Sequence, residues 1–279
     1  MNTVFLNGQL VDRGEAKVDI EDRGYQFGDG IYEVIRIYNG EPFTMKEHMD
    51  RLYESANKIQ IDIPFSKQEF TEKLIELAIL NKVNDGIIYL QITRGTSARQ
   101  HHFPAPEVKG NIVAYTKEMA RPVSKMDEGV TAKLVEDVRW LRCDIKSLNL
   151  LGNLLAKQEA AAEGHFEAIL HRGETVTEGS SSNVFIVKDK VIYTHPPTNL
   201  ILNGITRKVI QKVCQENNIT FIEEAFSIAQ LQAADEVFMA STTSEVMPII
   251  KVDDKVYGEG KIGPVTKKLQ SLFQMQMES

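Results

Sequence analysis

The chain has 279 residues, of which 42% are hydrophobic and 25% are charged, and its formal net charge is -7. The length predicts one large or two moderate domains, and the acidic balance disfavours binding to nucleic acid or to an anionic membrane. Two cysteines cannot form a disulfide scaffold, no metal-ligand spacing is present, and neither a signal peptide nor a membrane-spanning run is found. A cytoplasmic protein is therefore expected.

The first 120 residues predict several strands and two helices. Asn7-Gly8, a dipeptide typical of hairpin turns, joins two short strands within residues 2–12. Ser66 and Glu69 form a capping-box pattern at the start of the second helix. Apolar spacing predicts further strands over residues 32–38, 86–94 and 111–115, and helices over residues 45–59 and 70–80.

Residues 117–129 are polar, contain Pro122 and end at a glycine, which predicts a boundary between a domain of residues 1–120 and one of residues 121–279. Within the second domain, apolar spacing predicts strands over residues 130–135, 168–171, 184–187, 191–194 and 236–240. It also predicts helices over residues 149–164, 206–216 and 263–276. Strands that cluster together with interspersed helices favour an α+β fold over a regular β-α-β series.

Lys146 is a candidate catalytic residue because of its place in the chain. It lies between an extended segment and the helix expected near Asn149, so rigid elements flank it on both sides. A lysine that forms a Schiff base needs such placement, and it needs a site dry enough to keep part of its amine neutral. A surface lysine is the commoner explanation for such a residue taken alone.

Glu178 and Gly179 precede three serines, at what reads as a turn. A carboxylate in a turn is usually solvated or caps nearby backbone amides. It could also face the pyridine nitrogen of a cofactor and keep that nitrogen protonated, with Ser180 and Ser181 along the cofactor edge. The stretch alone leaves both interpretations open.

Three further stretches suit a phosphate group. The helix opening at residues 204–206 offers free amides and a positive dipole end, although Thr206 could equally be a simple cap. The hydroxyl residues 241–244 directly follow a predicted strand, where they could bind phosphate or form an ordinary turn. Arg51 lies on a predicted helix and could either reach a phosphate or pair with Glu47 on the surface.

Residues 94–104 form a predicted loop that is strongly cationic for an acidic protein. Arg99 and His101 in this loop could bind a carboxylate group, since both side chains donate hydrogen bonds to oxygen. A solvated surface loop is the alternative.

The chain resembles the class IV aminotransferases, which are pyridoxal-phosphate (PLP) enzymes of fold type IV. The stretches that carry the resemblance occur in order and span nearly the whole chain: residues 22–34, 139–151, 170–185, 204–207 and 241–245. Within the family, the members acting on D-amino acids are most similar. The resemblance implies a two-domain α+β fold, with a smaller α/β sandwich at the N-terminus and a larger C-terminal domain of barrel-like β core and flanking helices.

The resemblance also implies a role for individual residues. Lys146 would hold PLP covalently and move the substrate proton, while Glu178 would contact the pyridine nitrogen, supported by Arg139. The remaining residues implied to bind the cofactor are Arg51, Ser181, Leu202, Ile205, Thr206 and Thr242. The residues implied to bind the substrate carboxylate are Tyr32, Arg99 and His101, with His102 an alternative to His101. In this family Arg99 and His101 would reach the active site of the other subunit, which implies a homodimer.

The implied reaction is a ping-pong transamination between D-alanine and 2-oxoglutarate that gives pyruvate and D-glutamate. Two activities of the same fold remain open at this point: a branched-chain L-amino-acid aminotransferase and an aminodeoxychorismate lyase. A non-catalytic binding protein on the same scaffold is a third alternative, which the intact lysine, acid and phosphate residues disfavour.

Overall fold

The structure is a computed structural model that describes residues 2–278. By its internal contacts the chain forms two compact units. The first unit comprises Met1–Ala120 together with Ile145–Asn149, and the second comprises Arg121–Asp144 and Leu150–Ser279. Compactness is not a test of independent folding, so the division into domains 1–120 and 121–279 stays a prediction.

The first unit is an antiparallel sheet with helices packed against it. Its elements are β1 Thr3–Leu6, β2 Gln9–Asp12, α1 Arg23–Phe27, β3 Gly30–Tyr38, β4 Glu41–Pro42, α2 Met45–Lys58, α3 Lys67–Leu80, β5 Gly86–Thr93 and β6 Ile112–Glu118. The strand order is β2-β1-β6-β5-β3-β4. Ile35 and Ile37 of β3 pack into the same core as Leu52 of α2 and Leu74 of α3. The opposite face of β3 therefore carries Tyr32, because side chains alternate along a strand.

The second unit is built on a nine-stranded sheet of order β12-β11-β10-β13-β14-β7-β8-β9, with β15 beside β14. Its helices are α4 Val123–Glu128, α5 Leu151–Ala162, α6 Ile205–Glu216, α7 Ile228–Gln232 and α8 Pro264–Glu278, and Gly258–Gly260 forms a 3₁₀ turn. Its strands are β7 Val130–Glu136, β8 Glu167–Arg172, β9 Thr175–Gly179, β10 Asn183–Lys188, β11 Val191–Thr194, β12 Phe221–Glu223, β13 Glu236–Ser241, β14 Glu245–Val252 and β15 Lys255–Val256.

Local signals in the sequence locate several elements correctly. Strands β1 and β2 pair around Asn7, whose φ of 49° suits a tight hairpin turn. The capping box of Ser66 and Glu69 is present, and α3 begins at Lys67, three residues before the predicted start. The mixture of sheets and helices confirms the α+β class. No helix within residues 2–278 combines the length and apolar character that crossing a membrane requires.

Two predictions about local structure are wrong. Glu178 lies in strand β9 rather than in a turn, because residues 175–179 pair with β8. Thr206 does not cap α6: the N-cap position is Gly204, which has no side chain to donate or accept a cap bond.

Candidate active site

Lys146 is held in the first unit by hydrogen bonds to both its backbone carbonyl and its backbone amide. Its carbonyl oxygen accepts a hydrogen bond from the Tyr32 amide at 3.0 Å, and its own amide donates to Ser55 Oγ at 3.4 Å. The next residue, Ser147, forms an isolated bridge with Ile31. The Nζ atom of the half-buried side chain lies 4.1 Å from the centre of the Tyr32 ring. The predicted amine and one predicted carboxylate-binding residue are thus adjacent.

Arg51 belongs to a buried cluster of charges in the first unit. Its Nε and Nη2 atoms donate to the two carboxylate oxygens of Glu33 at 2.7 and 2.9 Å. His48 Nδ1 lies 2.8 Å from Glu33 Oε2, and since a carboxylate only accepts, the ring must donate there. Burial raises the pKa of Glu33, but Arg51 and His48 lower it by more, so this pKa lies well below its usual range. Glu33 is therefore an anion that fixes the Arg51 guanidinium.

We expect Glu33→Gln to lower the free energy of unfolding by about 3 kcal/mol, because it leaves a buried guanidinium without its charged partner. Chemical denaturation monitored by circular dichroism measures this loss. Asp50→Asn is the matched control: Asp50 binds two exposed lysines, Lys46 and Lys67, and such pairs contribute about 1 kcal/mol or less. Equal losses in the two variants would contradict this account of the cluster.

Arg99 and His101 lie in an exposed loop of the first unit. The Arg99 guanidinium stacks over the Phe27 ring, with its Cζ atom 4.4 Å from the ring centre. The His101 ring meets the same phenyl ring edge-on at 5.9 Å. Both side chains are thus placed by Phe27, and their exposure leaves them accessible to another molecule.

Glu178 is a fully buried carboxylate of the second unit with donors to both oxygens. Arg139 Nη1 donates to Oε1 at 2.6 Å, while Asn183 Nδ2 and the Leu202 amide donate to Oε2 at 3.1 and 3.0 Å. Burial raises the pKa of Glu178 to about 7, against the opposing effect of Arg139 and of the Leu202 amide. The site is therefore strongly desolvated and poised to pair with a further cationic group.

Arg139 is itself fixed by a second carboxylate, Asp137. Its Nε and Nη2 atoms donate to the two oxygens of Asp137 at 2.9 and 2.8 Å. Arg172 and Thr177 also donate to Asp137, at 3.1 and 2.9 Å. Burial raises the pKa of Asp137, but the hydrogen bonds from Arg139 and the charge of Arg139 lower it by more, to about 2. Asp137 thus stays ionised and holds Arg139 against Glu178.

The three serines after Gly179 converge on one buried carboxylate, Glu167. Ser181 and Ser182 donate to Glu167 Oε2 at 3.2 and 3.0 Å, and Ser180 donates to Oε1. The backbone oxygen of Ser180 accepts from Asn153 on α5 at 2.8 Å. The hydroxyl of Ser181, predicted along the cofactor edge, is therefore also part of this network.

The predicted phosphate residues of the second unit lie at two positions. Ile205 and Thr206 are buried in the first turn of α6, where no side chain caps the helix amides. A Cβ atom on Gly204 would approach Asn183 Oδ1 to 2.2 Å, so a larger residue at this N-cap would displace the Asn183 side chain that binds Glu178. Thr242 is half-buried in the turn between β13 and β14. Leu202 precedes α6 and accepts a hydrogen bond from Asn183 at its carbonyl, at 2.8 Å.

Sequence reasoning missed the buried acids that hold these residues. Glu33 carried a usable signal: it stands between Ile31 and Ile35 on the apolar face of β3, and a charge on such a face requires a buried partner. Glu167 had no comparable signal, because its serine partners lie 13 to 15 residues further along the chain, whereas Asp137 stands only two residues from its partner Arg139.

The site and the fold have clear relatives. The sequence model of the family described as amino-transferase class IV matches residues 30–252, and the chain belongs to this family. It is 54% identical over its full length to a D-alanine aminotransferase of Staphylococcus aureus, covering 99% of that protein. It is 51% identical to one of Bacillus licheniformis, over 97% of this chain and 95% of the relative.

Among solved structures, the branched-chain amino acid aminotransferase of Escherichia coli superposes with a TM-score of 0.94 at 30% identity, over 98% of this chain and 94% of the other. A T.th. branched-chain amino acid aminotransferase, solved with pyridoxamine 5'-phosphate, gives 0.93 at 28% identity, over 99% and 94% of the two chains. The predicted family and the fold-type IV architecture are confirmed.

Proposed function

We propose that this protein is a PLP-dependent transaminase that moves an amino group from D-alanine to 2-oxoglutarate, giving pyruvate and D-glutamate. Identity over the whole chain carries the choice of substrate: it is 51–54% with D-alanine aminotransferases but only 28–30% with branched-chain aminotransferases. The family membership given above supports the class of reaction.

The donor set fits PLP, which has an aldehyde, a basic pyridine nitrogen and a phosphate. The chain offers an amine at Lys146, a desolvated carboxylate at Glu178 and a guanidinium at Arg51. It also offers the first-turn amides of α6, which Gly204 leaves without a side-chain cap. When bound, PLP supplies an electron-accepting ring that stabilises negative charge at the substrate Cα.

Each residue contributes one elementary task to this proposal. Lys146 Nζ binds the cofactor covalently, then accepts the proton from the substrate Cα and delivers it again. Glu178 keeps a pyridinium proton in place through its negative charge, and Leu202 lies against the ring. Phosphate is bound by Arg51, Thr242 and the amides of Ile205 and Thr206, and Ser181 lines the cofactor edge.

Substrate recognition is assigned to Tyr32, Arg99 and His101, which bind the carboxylate. Tyr32 adjoins the amine of Lys146 in the same subunit. Arg99 and His101 are exposed in the single chain, which supports their reaching the active site of a partner subunit. We assign His101 rather than His102, because His101 contacts the Phe27 ring that also carries Arg99.

A homodimer is part of the proposal because the second unit carries many exposed apolar side chains. Exposed apolar side chains usually mark a protein interface when they lie together in one patch. These residues are Val138, Trp140, Leu141, Leu151, Leu154 and Leu155, with exposures from 44% to 70%.

The two cysteines, Cys143 and Cys214, are buried free thiols, which supports a reducing, cytoplasmic location.

A direct assay tests the function. Purified enzyme loaded with PLP is given D-alanine and 2-oxoglutarate, and pyruvate and D-glutamate are both quantified. Equal amounts of the two products are expected. Faster turnover of L-leucine than of D-alanine would overturn the proposal in favour of a branched-chain enzyme. Pyruvate from aminodeoxychorismate, without an oxo-acid acceptor, would favour a lyase.

We expect Arg99→Ala to raise KM for D-alanine by about 10- to 100-fold, because a charge-assisted bond to the carboxylate is worth about 1.5–3 kcal/mol. PLP affinity, measured by absorbance titration, should stay unchanged. Arg13→Ala is a suitable control, since Arg13 also lies over an aromatic ring, Tyr115, at 5.4 Å. An unaltered KM in Arg99→Ala would remove Arg99 from substrate recognition.

A further inference from the structure

Residues 22–29, around the short helix α1, form an anchor for the loop that carries Arg99 and His101, and Asp22 and Arg23 are its buried members. We call residues 95–104 the trap loop. Arg23 is only 3% exposed, and its Nη1 atom donates to the carbonyl of Gln100 at 2.6 Å. Gln100 stands between Arg99 and His101 in sequence, so this bond fixes the backbone at the centre of the trap loop.

Asp29 fixes the Arg23 guanidinium from the other side. Its Oδ2 atom accepts from Arg23 Nε at 2.8 Å and from Arg94 Nε at 2.8 Å, and its Oδ1 accepts from Arg94 Nη2 at 2.9 Å. Arg94 in turn donates to the carbonyls of Ile59 and Gln60, and it lies 3.5 Å from the centre of the Phe103 ring. One carboxylate thus connects two arginines, which hold the middle and the far end of the trap loop.

Phe27 completes the anchor at the side-chain level. Its ring is contacted by three cationic or basic groups: the Arg23 guanidinium at 4.8 Å, the Arg99 guanidinium at 4.4 Å and the His101 ring at 5.9 Å. Arg99 and His101 share no other aromatic neighbour in the part of the chain that the structure describes. The orientation of both side chains therefore depends on this one ring.

The first part of the trap loop is tied to the same segment. The Arg23 amide donates to the Gly95 carbonyl at 2.9 Å. Asp22 Oδ2 accepts from Thr93 Oγ1 at 2.6 Å and from Asn111 at 2.7 Å, and Asn111 also donates to Thr96 Oγ1 at 3.0 Å. Most side chains of the trap loop are exposed, whereas hydrogen bonds hold its backbone in place.

We propose that Arg23 and Phe27 are positioning residues that preorganise Arg99 and His101 for the substrate carboxylate. This inference rests on the proposed function, in which Arg99 and His101 recognise that group. An exposed arginine samples many rotamers, and ordering it on binding costs affinity. The Arg99 guanidinium is already stacked on the Phe27 ring, and the neighbouring backbone is fixed at Gln100. Arg99 therefore loses less conformational entropy on binding than a freely rotating arginine would. Phe27 and Arg23 act through Arg99 and His101, and neither contacts substrate.

The experiment measures carboxylate recognition rather than overall activity. Phe27→Leu removes the aromatic face and keeps an apolar side chain, while Phe27→Tyr keeps the face. Arg23→Lys keeps a cation beside Asp29 but removes the fork that reaches Gln100. Each PLP-loaded variant is assayed with D-alanine and with D-alaninamide, which lacks the negative charge. Phe43→Leu is the control, because Phe43 is a half-buried ring of the same unit that packs on Tyr38.

The expected result is a KM for D-alanine raised about 5-fold in Phe27→Leu, with kcat and PLP affinity unchanged. The preference for D-alanine over D-alaninamide should fall by the same factor, and Phe27→Tyr and Phe43→Leu should match the unmodified enzyme. The triple variant Phe27→Leu/Arg99→Ala/His101→Ala should be no worse than Arg99→Ala/His101→Ala, because Phe27 acts only through these two side chains. Arg23→Lys should also raise KM selectively, which keeps the test valid if Phe27→Leu folds poorly.

Two outcomes would overturn the inference. One is an unchanged KM in both Phe27→Leu and Arg23→Lys while Arg99→Ala raises it, which leaves the proposed function intact. The other is an equal loss for D-alanine and D-alaninamide, which indicates a structural role only. An unchanged KM in Arg99→Ala itself would instead show that the proposed function is wrong at this loop.

Discussion

Replacing Lys146 with alanine is expected to abolish the visible absorbance of lysine-bound PLP and to lower kcat by at least about 1,000-fold. In the proposed function this side chain supplies both the covalent link and the base that moves the substrate proton, and general acid–base transfer alone contributes about 100- to 10,000-fold. The structure supports one specific geometry for this amine: Nζ lies over the Tyr32 ring, and the backbone of Lys146 is hydrogen-bonded to the Tyr32 amide and to Ser55 Oγ. Absorbance spectra and single-turnover rates with D-alanine measure the two losses separately.

Two controls separate the chemistry of Lys146 from its charge. Lys146→Arg keeps a cation over Tyr32 but cannot form the covalent link, so it should be as inactive as the alanine variant. Lys125→Ala removes another lysine that lies over an aromatic ring, Phe166, at 4.6 Å, and it should keep full activity. If Lys146→Arg transaminated at the normal rate, Lys146 would not be the catalytic amine.

Glu178→Gln is expected to lower kcat about 100- to 1,000-fold, the cost of losing one preorganised charge in a dry site. Glutamine keeps the length of the side chain and can still accept from Leu202, but it no longer stabilises a protonated pyridine nitrogen. Steady-state kinetics with D-alanine measure the loss. Glu236→Gln is the control: Glu236 is buried in the same unit, where it accepts from the Thr266 amide at 2.8 Å at the start of α8. Normal activity in Glu178→Gln would exclude this carboxylate from catalysis.

The same variant gives a readout that does not depend on activity. Burial raises the pKa of Glu178 to about 7 from the ordinary 4.5, so its contribution to stability is full below pH 4.5 and is lost as the pH rises through 7. Cofactor-free enzyme should therefore lose on the order of 3 kcal/mol of stability between pH 5 and pH 8 through this group. In Glu178→Gln the melting temperature should fall less over that window.

Elements with strong local signals could be predicted from the sequence. The hairpin at Asn7-Gly8 and the capping box at Ser66 are fixed by residues within a few positions of one another. Strand β9 was missed because its sequence is polar and glycine-terminated, and its pairing with β8 is a tertiary effect. Strand β14 contains Pro248, which normally argues against a strand inside a sheet, yet it pairs with β13 and β7.

The residues of the candidate site also fall into two groups, those that the sequence identifies and those that only the structure reveals. Residue types with a definite chemistry, such as the lysine at 146 and the acid at 178, stand out once several motifs occur in order. Most of their supporting partners could not be predicted, because contacts such as Arg139 with Glu178, or Arg23 with Gln100, depend on the folded path of the chain. The sequence therefore predicts which groups would do the chemistry, and the structure shows which contacts hold those groups in place.

The five residues Ile145–Asn149 belong by their contacts to the first unit, although the chain enters and leaves them from the second. If the chain were cut after Ala120, Lys146 would therefore lie on the C-terminal fragment, although it packs with the residues of the N-terminal fragment. The first fragment would lack the bridge between Ile31 and Ser147 and the bond from Tyr32 to Lys146. Fragment complementation or circular permutation of this protein needs new termini elsewhere, in exposed turns such as the one at Gly173.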